Sequence, residues 1–209
     1  LHSITANLVN ISSMATNVLN INDPGGNNAI NQYVTARDKI SLDNGTTFLD
    51  VESVNATAIV LSTGLTSSIS NGTGIQRRWQ YHDQFKVAPG TSDYVSNKGG
   101  SGDELHVIVV DEDSEFSDTA NTILDKFGFV SKASDAKTGT GETNFYKEVI
   151  NKTSENVWWL NHQPGGTNWG SGSTTAFTNI DKPFSASLTG GHDGTTATAN
   201  VVTAFDNFA

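Results

Sequence analysis

The first third of the chain alternates short aliphatic groups with polar residues, which is the spacing typical of β-strands. Such groups occur at Leu8–Ile11 and Val18–Ile21, and Ala58–Leu61 is apolar throughout. Turn-forming pairs such as Asn44-Gly45 separate the groups, because both residue types accept left-handed backbone conformations. Residues 1–74, which are rich in Asn, Ser and Thr, are therefore predicted to form a β-rich region.

Larger apolar residues dominate after residue 75. Trp79, Tyr81 and Phe85 stand at alternate or nearly alternate positions and predict a strand. The clearest strand is Leu105–Val110, whose two faces are both mostly apolar. Strands of that kind are usually covered on both sides, so we expect this one to be central in its sheet.

Apolar side chains at positions i, i+3, i+4 and i+7 predict an amphipathic helix over Ala120–Phe127. Ser117 or Asp118 would accept a backbone N–H bond at its N-terminus. Gly128 would end the helix, since glycine readily takes the left-handed conformation found at helix C-termini.

The last part of the chain predicts further short elements. A second helix should follow Thr143, and Val157–Leu160 has the composition of another strand. A glycine-rich loop follows over Asn161–Thr175, and a final helix should begin near Thr198. The chain is thus predicted to be α+β, with a mixed β-sheet or sandwich core, a few short flanking helices and a β-rich N-terminal region.

Composition excludes several classes of partner. The 209 residues include 22 acidic and 12 basic side chains, a formal net charge of −10, which disfavours nucleic-acid binding because phosphate contacts need excess Lys and Arg. There is no cysteine, so disulfides and thiolate metal sites are excluded. No apolar run is long enough to span a bilayer, and membrane insertion is not expected.

The chain begins with Leu1 and ends within a helical pattern at Ala209, which suggests an excerpt of a longer protein.

The adjacent pair Arg77-Arg78 beside Trp79 has two interpretations. It could bind an anion or stack on an aromatic ring. The favoured interpretation is a solvated strand end with an aromatic neighbour.

The acidic run over residues 111–115 follows the clearest strand and is the most enzyme-like feature. Alternate carboxylates such as Asp111 and Asp113 could hold Ca²⁺ or Mg²⁺, and with His106 they would suggest a metal-dependent hydrolase. The run lacks the glycine and distal glutamate of a calcium-binding loop, so a solvated acidic turn is favoured. His106 is interpreted as a core or interface histidine. Since a nucleophile, a base and an oxyanion donor cannot all be assigned, we assign no catalytic, cofactor or metal residue and expect no enzyme.

Seven short blocks follow one another between residues 75 and 209. They are Phe85–Ser92, Asp103–Glu112, Thr122–Phe127, Val130–Lys137, Asn144–Asn151 with the nearby Ser154, Trp158-Trp159, and Ser187–Gly194. Their order and spacing resemble the middle region of contractile tail sheath proteins from T-even-type myophages and marine cyanophages. Residues 1–74 match much less well and would be a phage-variable surface region.

The resemblance implies a structural role. Subunits of that family stack as hexameric rings around a tail tube and contract to drive it through the host envelope. The expected partners are other sheath subunits, the tail tube and the baseplate, and the expected location is the virion after assembly in the host cytoplasm. Residues 75–209 would be a middle domain lying outward from the tube. The family's inner assembly domain would follow Ala209, so this fragment alone could be monomeric.

One alternative function is a glycan-binding surface module of a phage particle. The Ser/Thr/Asn-rich β region and an expected exposed loop around Trp169 favour it. The hydrolase built from Asp111, Asp113 and His106 is a further alternative.

Overall fold

In the part of the chain that the structure describes, strands are more extensive than helices. Two sheets and a few short helices agree with the broad α+β prediction. The computed structural model describes residues 2–8, 16–22, 30–159, 169–173, 177 and 188.

Six antiparallel strands close into a barrel in the order β1-β2-β5-β4-β3-β6. Pairing of β1 with β6, where His2 lies opposite Arg77, completes the ring. Closure pairs both edges of every strand, which removes the exposed sheet edges that promote aggregation. The strands are β1 (His2–Leu8), β2 (Val18–Asn22), β3 (Lys39–Ser41), β4 (Leu49–Val54), β5 (Ala58–Leu61) and β6 (Gly74–Arg78).

Aliphatic side chains from the strands and from the segments between them form the core of the barrel. The predicted buried strand at Ala58–Leu61 is confirmed as β5, and Asn44-Gly45 forms the turn between β3 and β4 with φ values of 59° and 87°. Burying each large aliphatic side chain stabilises the fold by about 1.5–3 kcal/mol. The core contains Leu19, Ile21, Ile30, Val34, Ile40, Val51, Ile59, Leu61, Leu65 and Ile75.

A buried ion pair joins Arg77 of β6 to Asp38, the residue before β3. Arg77 Nε donates to Asp38 Oδ2 at 2.6 Å, and the two residues are 7% and 0% exposed. Asp38 also accepts from the backbone N–H groups of Thr35 and Gln80, at 2.9 and 3.0 Å. The favoured interpretation of Arg77 as part of a solvated strand end is therefore wrong, because its charge is matched inside the protein.

Arg78 stacks on an aromatic ring of the chain itself. Its guanidinium carbon lies 3.6 Å from the centroid of the Phe48 ring. A cation over an aromatic face gains electrostatic attraction, so this arginine holds the loop before β4 against β6.

The aromatic residues after β6 do not form the predicted strand. The chain leaves β6 at Arg78, turns, and forms a short 3₁₀ helix over His82–Gln84. Backbone bonds from His82 N to Trp79 O and from Gln84 N to Tyr81 O, both 3.0 Å, close these turns. Local turn bonds thus replace the extended backbone that the alternation suggested.

The second sheet is a two-stranded antiparallel hairpin of β7 (Glu104–Asp111) and β8 (Thr122–Ser131). The prediction of a strand at Leu105–Val110 is confirmed by β7. Its predicted central position is wrong for the described part of the chain, since β7 pairs there only with β8 and most of its residues are half-buried.

The predicted helix over Ala120–Phe127 is also wrong, because β8 occupies most of that segment. Asp118 and Asn121 have φ values of 57° and 67°, left-handed angles that a right-handed helix cannot contain. Gly128, expected as a helix stop, instead lies inside the strand. A Cβ there would come within 3.0 Å of the Phe85 ring, so this position favours glycine for close packing.

Two short helices flank the hairpin, α1 (Asp93–Ser96) and α2 (Tyr146–Thr153). The sequence did not predict α1, whose N-cap Ser92 accepts from Val95 N. The predicted second helix is confirmed as α2. Thr143 is not its cap, because the residue before the helix is Phe145, which makes no side-chain cap bond.

In the C-terminal part of the chain, one predicted strand does not form and one predicted helix lies outside the described residues. Val157–Trp159 is irregular and forms no strand, while Leu160 lies outside the described residues. The helix expected from Thr198 also lies outside them. The boundary expected after residue 74 falls at the start of β6, the strand that closes the barrel.

Replacing Arg77 with alanine should destabilise the barrel strongly. The substitution leaves the Asp38 carboxylate buried without its cation, and breaking a buried pair in this way costs about 3–5 kcal/mol. Urea unfolding, monitored by tryptophan fluorescence, measures the decrease in the free energy of unfolding.

Lys39→Ala is the matched control. Lys39 and Asp50 form an ion pair whose side chains are 36% and 59% exposed, so its loss should cost only about 0–1 kcal/mol. Equal effects of the two substitutions would contradict a structural role for the buried pair.

Candidate functional site

The acidic loop after β7 is organised by Asp111, which is only 3% exposed. Its carboxylate accepts from the backbone N–H groups of Glu115, Phe116 and Ser117 at 3.0, 3.1 and 2.8 Å. The Ser117 hydroxyl donates a further bond of 2.7 Å. Burial acts to raise the pKa of Asp111, but the bonds from Ser117, Phe116 and Glu115 outweigh it and lower the pKa.

These bonds determine what the acidic run can do chemically. Asp111 faces its own loop, whereas the Asp113 side chain points into solvent. Within the described ranges, no group of three or more His, Cys, Asp or Glu side chains is placed to hold a metal ion. The structure therefore does not bring Asp111, Asp113 and His106 together as a metal site.

His106 lies between two aromatic rings in the hairpin. Phe85 stacks on it with centroids 3.8 Å apart, and Phe129 meets it edge-on at 4.7 Å. The buried Nε2 has no hydrogen-bond partner. Burial lowers the pKa of His106 from 6.5 to about 4, so the imidazole is neutral near pH 7.

The His106 stack belongs to a continuous row of aromatic rings. Tyr81 meets Trp79 edge-on at 5.3 Å, and Trp79 stacks with Phe85 at 6.1 Å. His106 and Phe129 then continue the row into the hairpin. Because Trp79 directly follows the last barrel strand, this row joins the barrel to the hairpin. We call these five residues the aromatic row.

A fully buried carboxylate, Asp103, lies immediately before β7. It accepts from the Ser92 backbone N–H and the Ser92 hydroxyl, both at 2.8 Å, and also from the Ser131 hydroxyl. Its backbone oxygen accepts from Lys132 N at 2.8 Å. Asp103 thus ties the cap of α1 and the end of β8 to the start of β7.

Lys132 is the largest fully buried side chain of the described residues. Burial lowers its pKa to about 8, and the charge of Asp103 opposes this shift. The ammonium lies 5.8 Å from the centroid of Phe177. A lysine followed by small residues within a polar run gave no sequence signal of such burial.

Asp135 is another organising residue that sequence reasoning missed. It accepts from Lys98 Nζ at 2.8 Å and from Gly172 N at 2.7 Å. These contacts bring the segment containing Gly172 against the loop after α1.

An open cavity of about 500 Å³ lies between β8, residues 138–144 and α2. Its charged groups are engaged with protein partners. Lys152 Nζ lies 3.8 Å from Glu142 Oε1, and Asp125 accepts from Ser154 Oγ at 2.6 Å.

The apolar side chains exposed to solvent differ from those expected. Trp169 is half-buried and packs 5.2 Å from Tyr146, so the prediction that it is exposed is wrong. Phe116, at the tip of the acidic loop, is 75% exposed, and Trp158 is 73% exposed. Among the residues that the structure describes, these two rings are the large exposed aromatic surfaces that a partner could cover.

No protein-family model, curated protein or solved structure matches this chain. In the portion that the structure describes, no helix has both the length and the apolar character needed to cross a membrane.

Lowering the pH from 6.5 to 4 should destabilise the chain through His106. The unfolded state binds a proton below pH 6.5, whereas the folded state resists protonation until about pH 4. The unfolded state therefore binds more protons in this window, and the free energy of unfolding falls as pH falls. Urea titrations at several pH values measure this fall in the free energy of unfolding.

His106→Phe separates this effect from the titration of carboxylates. The variant keeps a ring between Phe85 and Phe129 but has no titrating group. Its stability should depend less steeply on pH between 6.5 and 4 than that of the native chain. If the free energy of unfolding depends equally on pH in both proteins, His106 does not contribute to that dependence.

Replacing Asp111 with alanine should loosen the acidic loop while the barrel stays folded. The amides of Glu115, Phe116 and Ser117 lose their shared acceptor, so their hydrogen exchange should accelerate. Asp113→Ala is the control because that side chain is exposed. Equal acceleration in both variants would contradict the assigned role of Asp111.

Proposed function

We propose that this chain is the middle region of a contractile phage tail sheath subunit. In this role it stacks with other copies as hexameric rings around a tail tube, and contraction of the array drives the tube through the host envelope. The proposal rests on the seven ordered blocks between residues 75 and 209. Its location is the virion, after assembly in the host cytoplasm, and its further partners are the tube and the baseplate.

We propose a non-enzymatic role because the side chains that look reactive are already bound to other groups of the protein. Asp111 binds its own loop, and Arg77 is paired with Asp38. His106 is enclosed by aromatic rings. A catalytic group must be able to reach substrate, whereas these contacts stiffen the fold. Stiffness suits a subunit that transmits force, so we propose a structural protein and not an enzyme.

Subunits of a contracting array also need contacts that can be exchanged. Small interfaces with polar, wet rims separate more easily than large apolar ones. Phe116 stands exposed in an acidic loop that Asp111 fixes in place. In the assembled array we expect this ring to be covered by a neighbouring subunit.

A glycan-binding surface module remains the second candidate. Trp169 no longer favours it, because that ring packs against Tyr146. Trp158 does, since an exposed indole offers the flat apolar face on which a sugar ring can stack. A glycan array probed with the native chain and with Trp158→Ala distinguishes the two functions. Binding that depends on Trp158 would favour the adhesion module.

Electron microscopy of the full-length parent protein tests the sheath proposal. The proposal predicts tubular arrays with sixfold rings, either in phage tails or after expression of the parent alone. A parent that forms no tail array would overturn it.

Phe116 provides a sharper test within the same experiment. Phe116→Ser should reduce the yield of tubes while leaving the unfolding midpoint of this chain unchanged, because the ring is exposed. Phe116→Leu is the matched control, since it keeps an apolar side chain and should assemble better than the serine variant. Undiminished assembly of Phe116→Ser would show that this ring is not an inter-subunit contact.

A further inference from the structure

Two Asn-Gly pairs in this chain share the same following residue. Asn44-Gly45 precedes Thr46, and Asn71-Gly72 precedes Thr73. Asparagine before glycine is chemically labile, because the glycine N–H can attack the side-chain amide carbon and no Cβ hinders the approach. The local sequence is similar at both sites, so any difference in reactivity between them must come mainly from the fold.

The fold protects Asn44. The Gly45 N–H donates to Ser41 Oγ at 2.8 Å, and Ser41 is fully buried. The Asn44 side-chain oxygen accepts from Gln76 Nε2 at 2.8 Å. The attacking nitrogen and the side chain under attack are therefore both held by other partners.

Asn71 has neither form of protection. Its turn is closed by Thr73, whose backbone N–H and hydroxyl donate to Ser70 O at 3.3 and 2.8 Å. In the described structure neither the Asn71 side chain nor the Gly72 N–H makes a hydrogen bond. Both residues are exposed, and no heavy atom lies within 4 Å of the position that a Cβ on Gly72 would occupy.

We propose that Asn71 is a site of spontaneous deamidation and that Asn44 is protected from it. The Gly72 nitrogen forms a bond to Asn71 Cγ and loses its proton to solvent. The Cγ–Nδ2 bond breaks, ammonia leaves, and a succinimide ring remains. Water then opens the ring at either carbonyl to give aspartate or isoaspartate. No oxidant or cofactor is needed, and one negative charge is added just before β6.

Mass-spectrometric peptide mapping of the native chain during incubation in mildly alkaline buffer tests the proposal. Deamidation at Asn71 should be several-fold faster than at Asn44. In urea the protection of Asn44 is lost, so the two rates should converge. Equal rates in the folded chain, or a faster reaction at Asn44, would overturn the proposal.

Ser41→Ala adds a second arm by removing the acceptor of the Gly45 N–H. Deamidation at Asn44 should then increase several-fold while that at Asn71 stays unchanged. If only Asn71 accelerates, or neither site changes in a folded variant, the assigned protection is wrong. If the variant fails to fold, the comparison of folded and urea-treated native chain still decides the proposal.

Discussion

A carboxylate buried away from water is tolerated only when the protein supplies its hydrogen-bond donors, and Asp103 is held under this constraint. It is fully buried and binds Ser92 and Ser131, which lie far apart in the sequence. Two other buried aspartates work in the same way. Asp38 fixes Arg77 within the barrel, and Asp111 fixes the acidic loop.

These buried acids connect the structure to the proposed role. Each acts as a crosslink between backbone segments, and charge-assisted hydrogen bonds are among the stronger ones available. The aromatic row then joins the barrel to the hairpin through stacked rings. A subunit built in this way can act as a stiff block whose exposed parts, such as Phe116, form exchangeable contacts with its neighbours.

The sequence predicted the elements whose signals are local. β5, β7 and α2 follow directly from apolar runs and helical spacing. The spacing of Ile123, Leu124 and Phe127 predicts a helix, whereas the structure has β8 there because this segment pairs with β7. Burial of Arg77 depends on Asp38, a partner 39 positions away. No local pattern encodes that contact, nor the contacts of Asp103 and Lys132.

Hydrogen exchange of an Asp103→Ala variant tests most directly whether buried carboxylates hold this fold together. The account predicts that amide protection falls together at Ser92, Val95 and Ala133. The Asp103 carboxylate accepts from the Ser92 N–H and from the hydroxyls of Ser92 and Ser131, and those hydroxyls accept from the N–H groups of Val95 and Ala133. Loss of protection restricted to residues next to position 103 in sequence, or no loss at all, would contradict it.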